Sequence, residues 1–83
     1  MLKIHERITK DTWTKYVLHV YDPNGNIIAS CLVGWLARDG AAALLVREAI
    51  GTLYPTRGEL STFNDHIETT FDDILRVLKV ADV

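Results

Sequence analysis

The sequence predicts one small α+β domain, residues 1–83, in which a three-stranded antiparallel β-meander packs against two α-helices. Three observations lead to this prediction. The N-terminal part holds apolar segments that alternate or are β-branched, a turn motif separates two of these segments, and the C-terminal part shows apolar residues at helical spacing. A chain of 83 residues is also the length of a single domain.

The first strand is predicted over residues 2–8. Leu2, Ile4 and Ile8 alternate there with polar residues, and this period of two is typical of a half-buried strand. Glu6 interrupts the apolar face, and a charged side chain on an edge strand discourages further pairing. We therefore expect an edge strand that ends at the turn-forming sequence TKDT of residues 9–12.

The sequence VYDPNGNII of residues 20–28 predicts a β-hairpin. Residues 13–21 are rich in aromatic and β-branched side chains, as strands are. Pro23 followed by Gly25 indicates a type I turn closed by a glycine bulge, with positive φ at Gly25. The return strand should therefore begin at Asn26 or Ile27.

The turn also predicts the register and an unusual surface. With Tyr21 opposite Ile27, His19 lies opposite Ala29, and both faces of the hairpin are apolar. The two helices cover one face, and an apolar patch left bare on the other usually marks an interface. Alternatively, the last segment wraps round to cover that face, or the first strand bends over it. The predicted sheet interface consists of Tyr16, Leu18, Val20, Ile28 and Leu32.

The first helix is predicted from Gly40 to about Leu53, with Asp39 as its N-cap. Pro55 ends it. Its apolar residues recur at helical spacing and form one stripe: Ala42, Leu45, Val46, Ala49, Ile50 and Leu53.

Residues 62–80 allow two interpretations. In the first, Ser61 or Thr62 caps one long helix that ends near Val80, with acidic residues early and basic residues late, as the helix dipole favours. In the second, a fourth strand forms near residues 65–70, because β-branched residues there are poor helix formers. Thr70 then caps a short final helix, with Asp73 at the capping-box position.

The spacing of reactive residues predicts no catalytic, cofactor-binding or metal-binding site. The three histidines lack the short spacings of metal-binding motifs, and no phosphate-binding loop is present. The single Cys31 excludes an internal disulfide and suits the role of a small buried hydrophobe. We therefore expect a protein that is not an enzyme and needs no cofactor.

Charge is concentrated at one end of the chain. Residues 59–83 carry six acidic and two basic side chains, a balance of −4, whereas residues 1–38 have a balance of +2. An acidic segment does not bind a phosphate backbone, so no direct nucleic-acid binding is expected, whereas a protein partner with a basic surface would suit it. In the long-helix interpretation Asp65, Glu68 and Asp72 lie on one helix face, flanked by Glu59 and Asp73. These five acidic residues are the predicted partner-binding residues.

No apolar run is long enough to span a bilayer, and the first residues contain no apolar block of a signal peptide. Together with the single cysteine, these features predict a cytoplasmic protein without a membrane partner. If the source is viral, the compartment is the host cytoplasm.

Two resemblances suggest functions. The sequence YVLHVYDPNGNIIASCLVGW leading to AAALLVREAI resembles the first ββα unit of HicB-type antitoxins, although the family's glycine-cysteine segment between strand and helix is missing, so its partner and DNA-binding roles do not carry over. In size, compactness and acidic C-terminal residues the chain is similar to small phage-encoded inhibitors of the anti-CRISPR type. That resemblance implies a non-enzymatic protein that blocks a basic, nucleic-acid-handling surface.

From these observations we expect a protein-binding module, foremost an inhibitor that docks its acidic helix face on a basic surface of a nucleic-acid-handling complex. The alternative is a dimeric, HicB-like antitoxin or regulatory module that uses its sheet as the interface.

Overall fold

A computed structural model describes residues 2–83. Within this range the chain forms five helices and one two-stranded antiparallel sheet, so the predicted three-stranded meander on two helices is wrong. The elements in chain order are α1 Ile4–Arg7, β1 His19–Tyr21, β2 Ile27–Ser30, α2 Leu32–Leu36, α3 Gly40–Leu53, α4 Leu60–Asp65 and α5 Phe71–Ala81.

The N-terminal segment is a helix rather than a strand. Ile4 and Ile8 are one helical turn apart as well as an even number of residues apart, so their spacing fits both structures, and both side chains are buried. The Glu6 carboxylate accepts a hydrogen bond from the Lys3 N–H at 3.0 Å, which satisfies a donor at the helix start. The helix packs against α5, and the His5 N–H donates to the Val83 carbonyl at 3.1 Å.

The hairpin turn matches its prediction. Gly25 has a φ of +84°, and the return strand begins at Ile27. The Asp22 carboxylate accepts hydrogen bonds from the N–H groups of Asn24 and Asn26, both at 2.9 Å. These bonds, of which that from Asn26 contributes most, hold the pKa of the Asp22 carboxyl below its ordinary value.

The predicted register of the hairpin is correct only for the pair next to the turn. Tyr21 lies opposite Ile27 as expected, but Val20 pairs with Ala29 and His19 with Ser30. A bulge between Val20 and Tyr21 inserts one extra residue into β2, so every later pair is displaced by one residue. The predicted pairing of His19 with Ala29 is therefore wrong.

Both predicted strands are also shorter than expected. Before β1, the chain makes one parallel bridge between Trp13 and Ser30 and then bends through residues 15–18. After β2, Cys31 leads directly into α2, because Leu32 is drawn into the core and is fully buried.

Helix α3 has the predicted bounds and the predicted cap. The Asp39 carboxylate accepts a hydrogen bond from the Ala42 N–H at 2.9 Å. Four of the six stripe residues are buried, whereas Leu45 is 46% exposed and Leu53 is half-buried: the buried ones are Ala42, Val46, Ala49 and Ile50.

Neither interpretation of residues 62–80 is fully correct. The long helix is interrupted by a turn over residues 66–70, and the fourth strand near residues 65–70 does not form. The capping box of the second interpretation is present: the Thr70 N–H donates to the Asp73 carboxylate at 3.0 Å, and the Asp73 N–H donates to the Thr70 hydroxyl at 3.3 Å. Two successive threonines favour such a cap over a helix interior, and Ile67 in the turn is 86% exposed.

The core lies between α3 and α5 and is closed by α1, α2 and α4. The hairpin lies at its margin and contributes mainly Ala29 and Ser30 to the buried set. This position leaves most hairpin side chains outside the core. The fully buried apolar residues are Leu32, Val46, Ile50, Phe63, Ile74, Val77 and Leu78.

Candidate protein-binding surface

Asn64 is a fully buried polar residue that joins three distant parts of the chain. Its carbonyl oxygen accepts hydrogen bonds from the Trp13 indole N–H at 2.7 Å and from the Leu32 N–H at 2.9 Å. Its amide group donates to the Thr14 carbonyl at 3.1 Å and to the Asp65 carboxylate at 2.9 Å. All four of its hydrogen-bonding positions are occupied, so the buried amide stabilises the folded state and leaves no polar group without a partner.

Residues 13–18, here called the anchored segment, are held against the end of α4. The Tyr16 N–H donates to the Asp65 carboxylate at 2.8 Å, and the Lys15 ammonium donates to the His66 carbonyl at 2.7 Å. Tyr16 has a φ of +71°, in the left-handed region that costs a non-glycine residue about 1–2 kcal/mol. The surrounding hydrogen bonds therefore determine an unfavourable backbone conformation.

This conformation turns apolar side chains outward. The exposed apolar residues of the anchored segment and the hairpin, here called the hairpin surface, range from 49% to 69% exposed: Tyr16, Val17, Leu18, Tyr21, Ile27 and Ile28. Six apolar residues that are about half exposed or more within residues 16–28 make this region a candidate interaction surface.

Two grooves border the hairpin surface. One, of about 200 Å³, lies between the anchored segment and α4 and has Leu18, Cys31 and Val33 among its lining residues. The other, of about 280 Å³, lies between β2 and α2 and is lined by Ile28, Trp35 and Arg7, among others. The Arg7 guanidinium stands 5.8 Å from the centre of the Trp35 ring.

The predicted sheet interface is therefore only partly exposed. Tyr16, Leu18 and Ile28 belong to the hairpin surface and Val20 is half-buried, whereas Leu32 is fully buried. Including Leu32 was wrong, because β2 ends before it and α2 turns its side chain into the core.

Sequence reasoning missed Val17, Tyr21 and Ile27 as exposed residues. Strands that continue on both sides of the turn would place Tyr21 and Ile27 on the face that the helices cover. Residues 16–21 and 27–29 are apolar on both faces of the hairpin, and this pattern indicated that the rest of the chain would not bury them all.

The predicted acidic residues do not share one helix face, since the turn over residues 66–70 separates α4 from α5. Asp65 receives the hydrogen bonds from Tyr16 and Asn64 described above. Glu59 forms an ion pair with Arg47 at 2.9 Å. Glu68 lies 3.7 Å from Arg57 with a side chain that is 72% exposed, and Asp72 is exposed.

Asp73 belongs to a partly buried cluster at the start of α5. Its carboxylate accepts hydrogen bonds from the Arg57 guanidinium at 3.0 Å and from the Tyr54 hydroxyl at 2.9 Å. Burial by itself raises the pKa of the Asp73 carboxyl, but the bonds donated by Thr70, Tyr54 and Arg57 outweigh it, and the pKa lies below its ordinary value. Burial of the Tyr54 hydroxyl raises its pKa, and the hydrogen bond to Asp73 raises it further.

Within residues 2–83, no three His, Cys, Asp or Glu side chains are grouped so that they could hold a metal ion. The closest approach to a nucleophile and base is the contact of the His19 Nδ1 with the Ser30 hydroxyl at 2.7 Å, across the hairpin. Ser30 is 8% exposed, and in the described part of the chain no carboxylate hydrogen-bonds to His19. Cys31 is buried.

We found no match to this chain among protein-family models, curated proteins or solved structures. None of the helices in residues 2–83 has both the length and the apolar character that a membrane crossing requires.

Proposed function

We propose that this chain is a non-enzymatic protein-binding module and that it contacts its partner through the hairpin surface. The observation that supports the proposal is the exposure of that surface, on which six apolar residues are each 49% to 69% exposed although the core of the chain lies elsewhere.

The hydrogen bonds beneath the surface add a second argument. Asn64 and Asp65 hold the anchored segment in its bent conformation through three hydrogen bonds, with Trp13, Thr14 and Tyr16. Two further bonds, from the Leu32 N–H to Asn64 and between the Asn64 and Asp65 side chains, fix the positions of the two anchoring residues. A contact surface held in shape before binding loses little conformational entropy when the partner arrives. The outward position of Tyr16 is thus part of the folded structure rather than a consequence of binding.

Photo-crosslinking from defined positions tests this proposal. A photoreactive residue in place of Ile28 on the hairpin surface should give a covalent adduct with another polypeptide in cells that produce the protein. Leu44 on α3 is 56% exposed and equally apolar, so the same residue there is the matched control. Equal adducts from both positions, or none from Ile28, would contradict the proposal.

A second candidate is the inhibitor function, in which exposed acidic side chains dock on a basic surface of a nucleic-acid-handling protein. The −4 balance of residues 59–83 and the exposure of Glu68 and Asp72 favour it. Asp65 and Asp73 are poor probes of this function, because both also hold the fold together.

The double substitution Glu68→Gln with Asp72→Asn tests the inhibitor function. We expect stability to change by less than about 0.5 kcal/mol, because exposed charges contribute little. Binding to a basic partner should slow in its association step, and the difference should shrink as salt shortens the screening length below about 8 Å. An unchanged association rate at low salt would exclude these two charges from docking.

A further inference from the structure

We propose that Asn24 is a site of spontaneous deamidation, where the Gly25 backbone nitrogen displaces ammonia from the Asn24 side-chain amide and leaves aspartate or isoaspartate in the hairpin turn. This inference goes beyond the proposed function and does not depend on it.

The reaction needs only Asn24, Gly25 and water. A bond forms between the Gly25 nitrogen and the Asn24 Cγ, and the bond from Cγ to Nδ2 breaks. The proton lost by the Gly25 N–H passes through water to Nδ2, which departs as ammonia. Water then opens the cyclic imide. Addition at the side-chain carbonyl gives aspartate, whereas addition at the backbone carbonyl gives isoaspartate, in which the main chain runs through the side-chain methylene.

The structure leaves both reacting groups accessible. Asn24 and Gly25 are exposed in the turn. Gly25 has no Cβ, and even an added Cβ would meet nothing within 4 Å, so the approach to its nitrogen is unobstructed. Within residues 2–83, the Asn24 backbone N–H donates to the Asp22 carboxylate at 2.9 Å, but the Asn24 side-chain amide forms no hydrogen bond.

The other two asparagines of the chain are protected. The Asn26 side-chain amide donates to the Asp22 carboxylate at 3.3 Å, and the β-branched Ile27 that follows crowds the backbone nitrogen that would have to attack. Asn64 is fully buried, and its amide group donates two hydrogen bonds. The three asparagines therefore provide an internal comparison, in which we expect Asn24 to convert first.

One hydrogen bond of the turn opposes the reaction. The Gly25 N–H donates to the Asp22 carbonyl at 3.0 Å and must be released before the nitrogen can attack. Exposed backbone bonds of this kind open locally at a much lower free energy than global unfolding requires. The turn therefore slows the conversion without preventing it.

Isoaspartate should change the turn more than aspartate does. It adds one atom to the main chain before Gly25, and this displaces the N–H groups of Gly25 and Asn26 from their acceptors on Asp22. Because the turn sets the register, the strand pair next to it should be weakened. Aspartate keeps the backbone and adds only one negative charge to a chain whose net charge is −2.

Incubation of the native chain in mildly alkaline buffer, which favours loss of the Gly25 amide proton, tests the site. Tandem mass spectrometry of the tryptic peptide of residues 16–38 distinguishes conversion at Asn24 from conversion at Asn26, and the peptide of residues 58–76 reports on Asn64. We expect Asn24 to convert at least about tenfold faster than Asn26, as a difference of about 1.4 kcal/mol between two barriers produces. Equal rates at the two positions, or no conversion at Asn24 in the folded chain, would overturn the inference.

Two variants separate the reaction from its consequence. Asn24→Gln should convert far more slowly, because its longer side chain has to close a larger ring, and conversion at the native rate would exclude attack by the Gly25 nitrogen. Asn24→Asp carries the charge of one product without the lengthened main chain, so its thermal unfolding should stay close to that of the native chain. The isoaspartate form, separated from an aged sample and identified by labelling with isoaspartate methyltransferase, should unfold at a lower temperature. An isoaspartate form as stable as Asn24→Asp would overturn the expected effect on the turn.

Discussion

The hairpin region and the α3–α5 pair are held in place by different kinds of contact. Val46 and Ile50 of α3 and Ile74 and Leu78 of α5 are fully buried against one another, so apolar contact holds the two helices together. In the hairpin region, the apolar side chains face outward and a buried polar residue, Asn64, holds the backbone. A region fixed by polar contacts keeps its apolar side chains available for a partner.

Removing the polar anchor is the most severe test of this contrast. Asn64→Ala deletes four hydrogen bonds and leaves the partly buried Trp13 indole N–H and the buried Leu32 N–H without a partner. Unpaired buried donors cost about 1–3 kcal/mol each, so we expect unfolding free energy to fall by about 3–5 kcal/mol in urea titration. Asn26→Ala, at an exposed position in the turn, is the control. A loss below about 1 kcal/mol would mean that the hairpin region does not depend on this anchor.

A pair of glycines sharpens the comparison between the two regions. A Cβ at Gly34 in α2 would lie 2.9 Å from the Ser30 Cβ and 3.2 Å from the Leu18 carbonyl, whereas a Cβ at Gly51 in α3 meets nothing within 4 Å. Gly34→Ala should destabilise the fold by about 1–3 kcal/mol through overpacking against the hairpin. Gly51→Ala should stabilise it by about 0.5–1 kcal/mol through helix propensity. Thermal unfolding of both variants measures the difference, and a stabilised Gly34→Ala would show that the hairpin is loosely packed on α2.

The smallest effect concerns two neighbouring aspartates of α5. Asp73→Asn should cost about 1–2 kcal/mol at neutral pH, because the charged bonds from Arg57 and Thr70 weaken. Since the pKa of Asp73 is lowered in the folded state, its contribution is present above the ordinary carboxyl pKa and is lost as pH falls through the folded value. The difference between native and Asp73→Asn proteins should therefore begin to shrink as the pH falls below about 4 and disappear only below the lowered folded pKa.

Asp72→Asn is the control for this measurement. Asp72 is exposed, so its replacement should change stability by less than about 0.5 kcal/mol at neutral pH. Equal losses of stability for Asp73→Asn and Asp72→Asn would contradict the conclusion that Asp73 stabilises the fold and Asp72 does not.

Local signals in the sequence predicted local structure well. Asp39, Gly25 and the Thr70–Asp73 capping box act within four residues, and the structure places each in the predicted role. Periodicity was less informative, because Ile4 and Ile8 fit a strand and a helix equally. The bulge in β2 was not predicted, because the turn motif sets only the first pair and no short motif marks a residue inserted after it.

The anchored segment lay beyond sequence reasoning for a different reason. Its bend depends on hydrogen bonds between residues 49 to 51 positions apart, and no short motif records such a distance. Asn64 itself sits in a short polar run of α4, where an ordinary exposed side chain would be expected. The predicted exposure of apolar residues in the hairpin is consequently confirmed for Tyr16, Leu18 and Ile28 and wrong for Leu32, which is fully buried.

The distance between Trp13 and Asn64 along the chain also affects the order in which the molecule can assemble. Residues 13–30 are synthesised before residue 64, so the anchored segment cannot be fixed until the Asn64 side chain is present. Contacts of such long sequence separation form late, because closing the intervening loop costs entropy before any bond is gained. A segment synthesised later, α4, thus completes the surface formed by an earlier one, and a chain that has not yet reached Asn64 lacks the side chain that fixes the anchored segment.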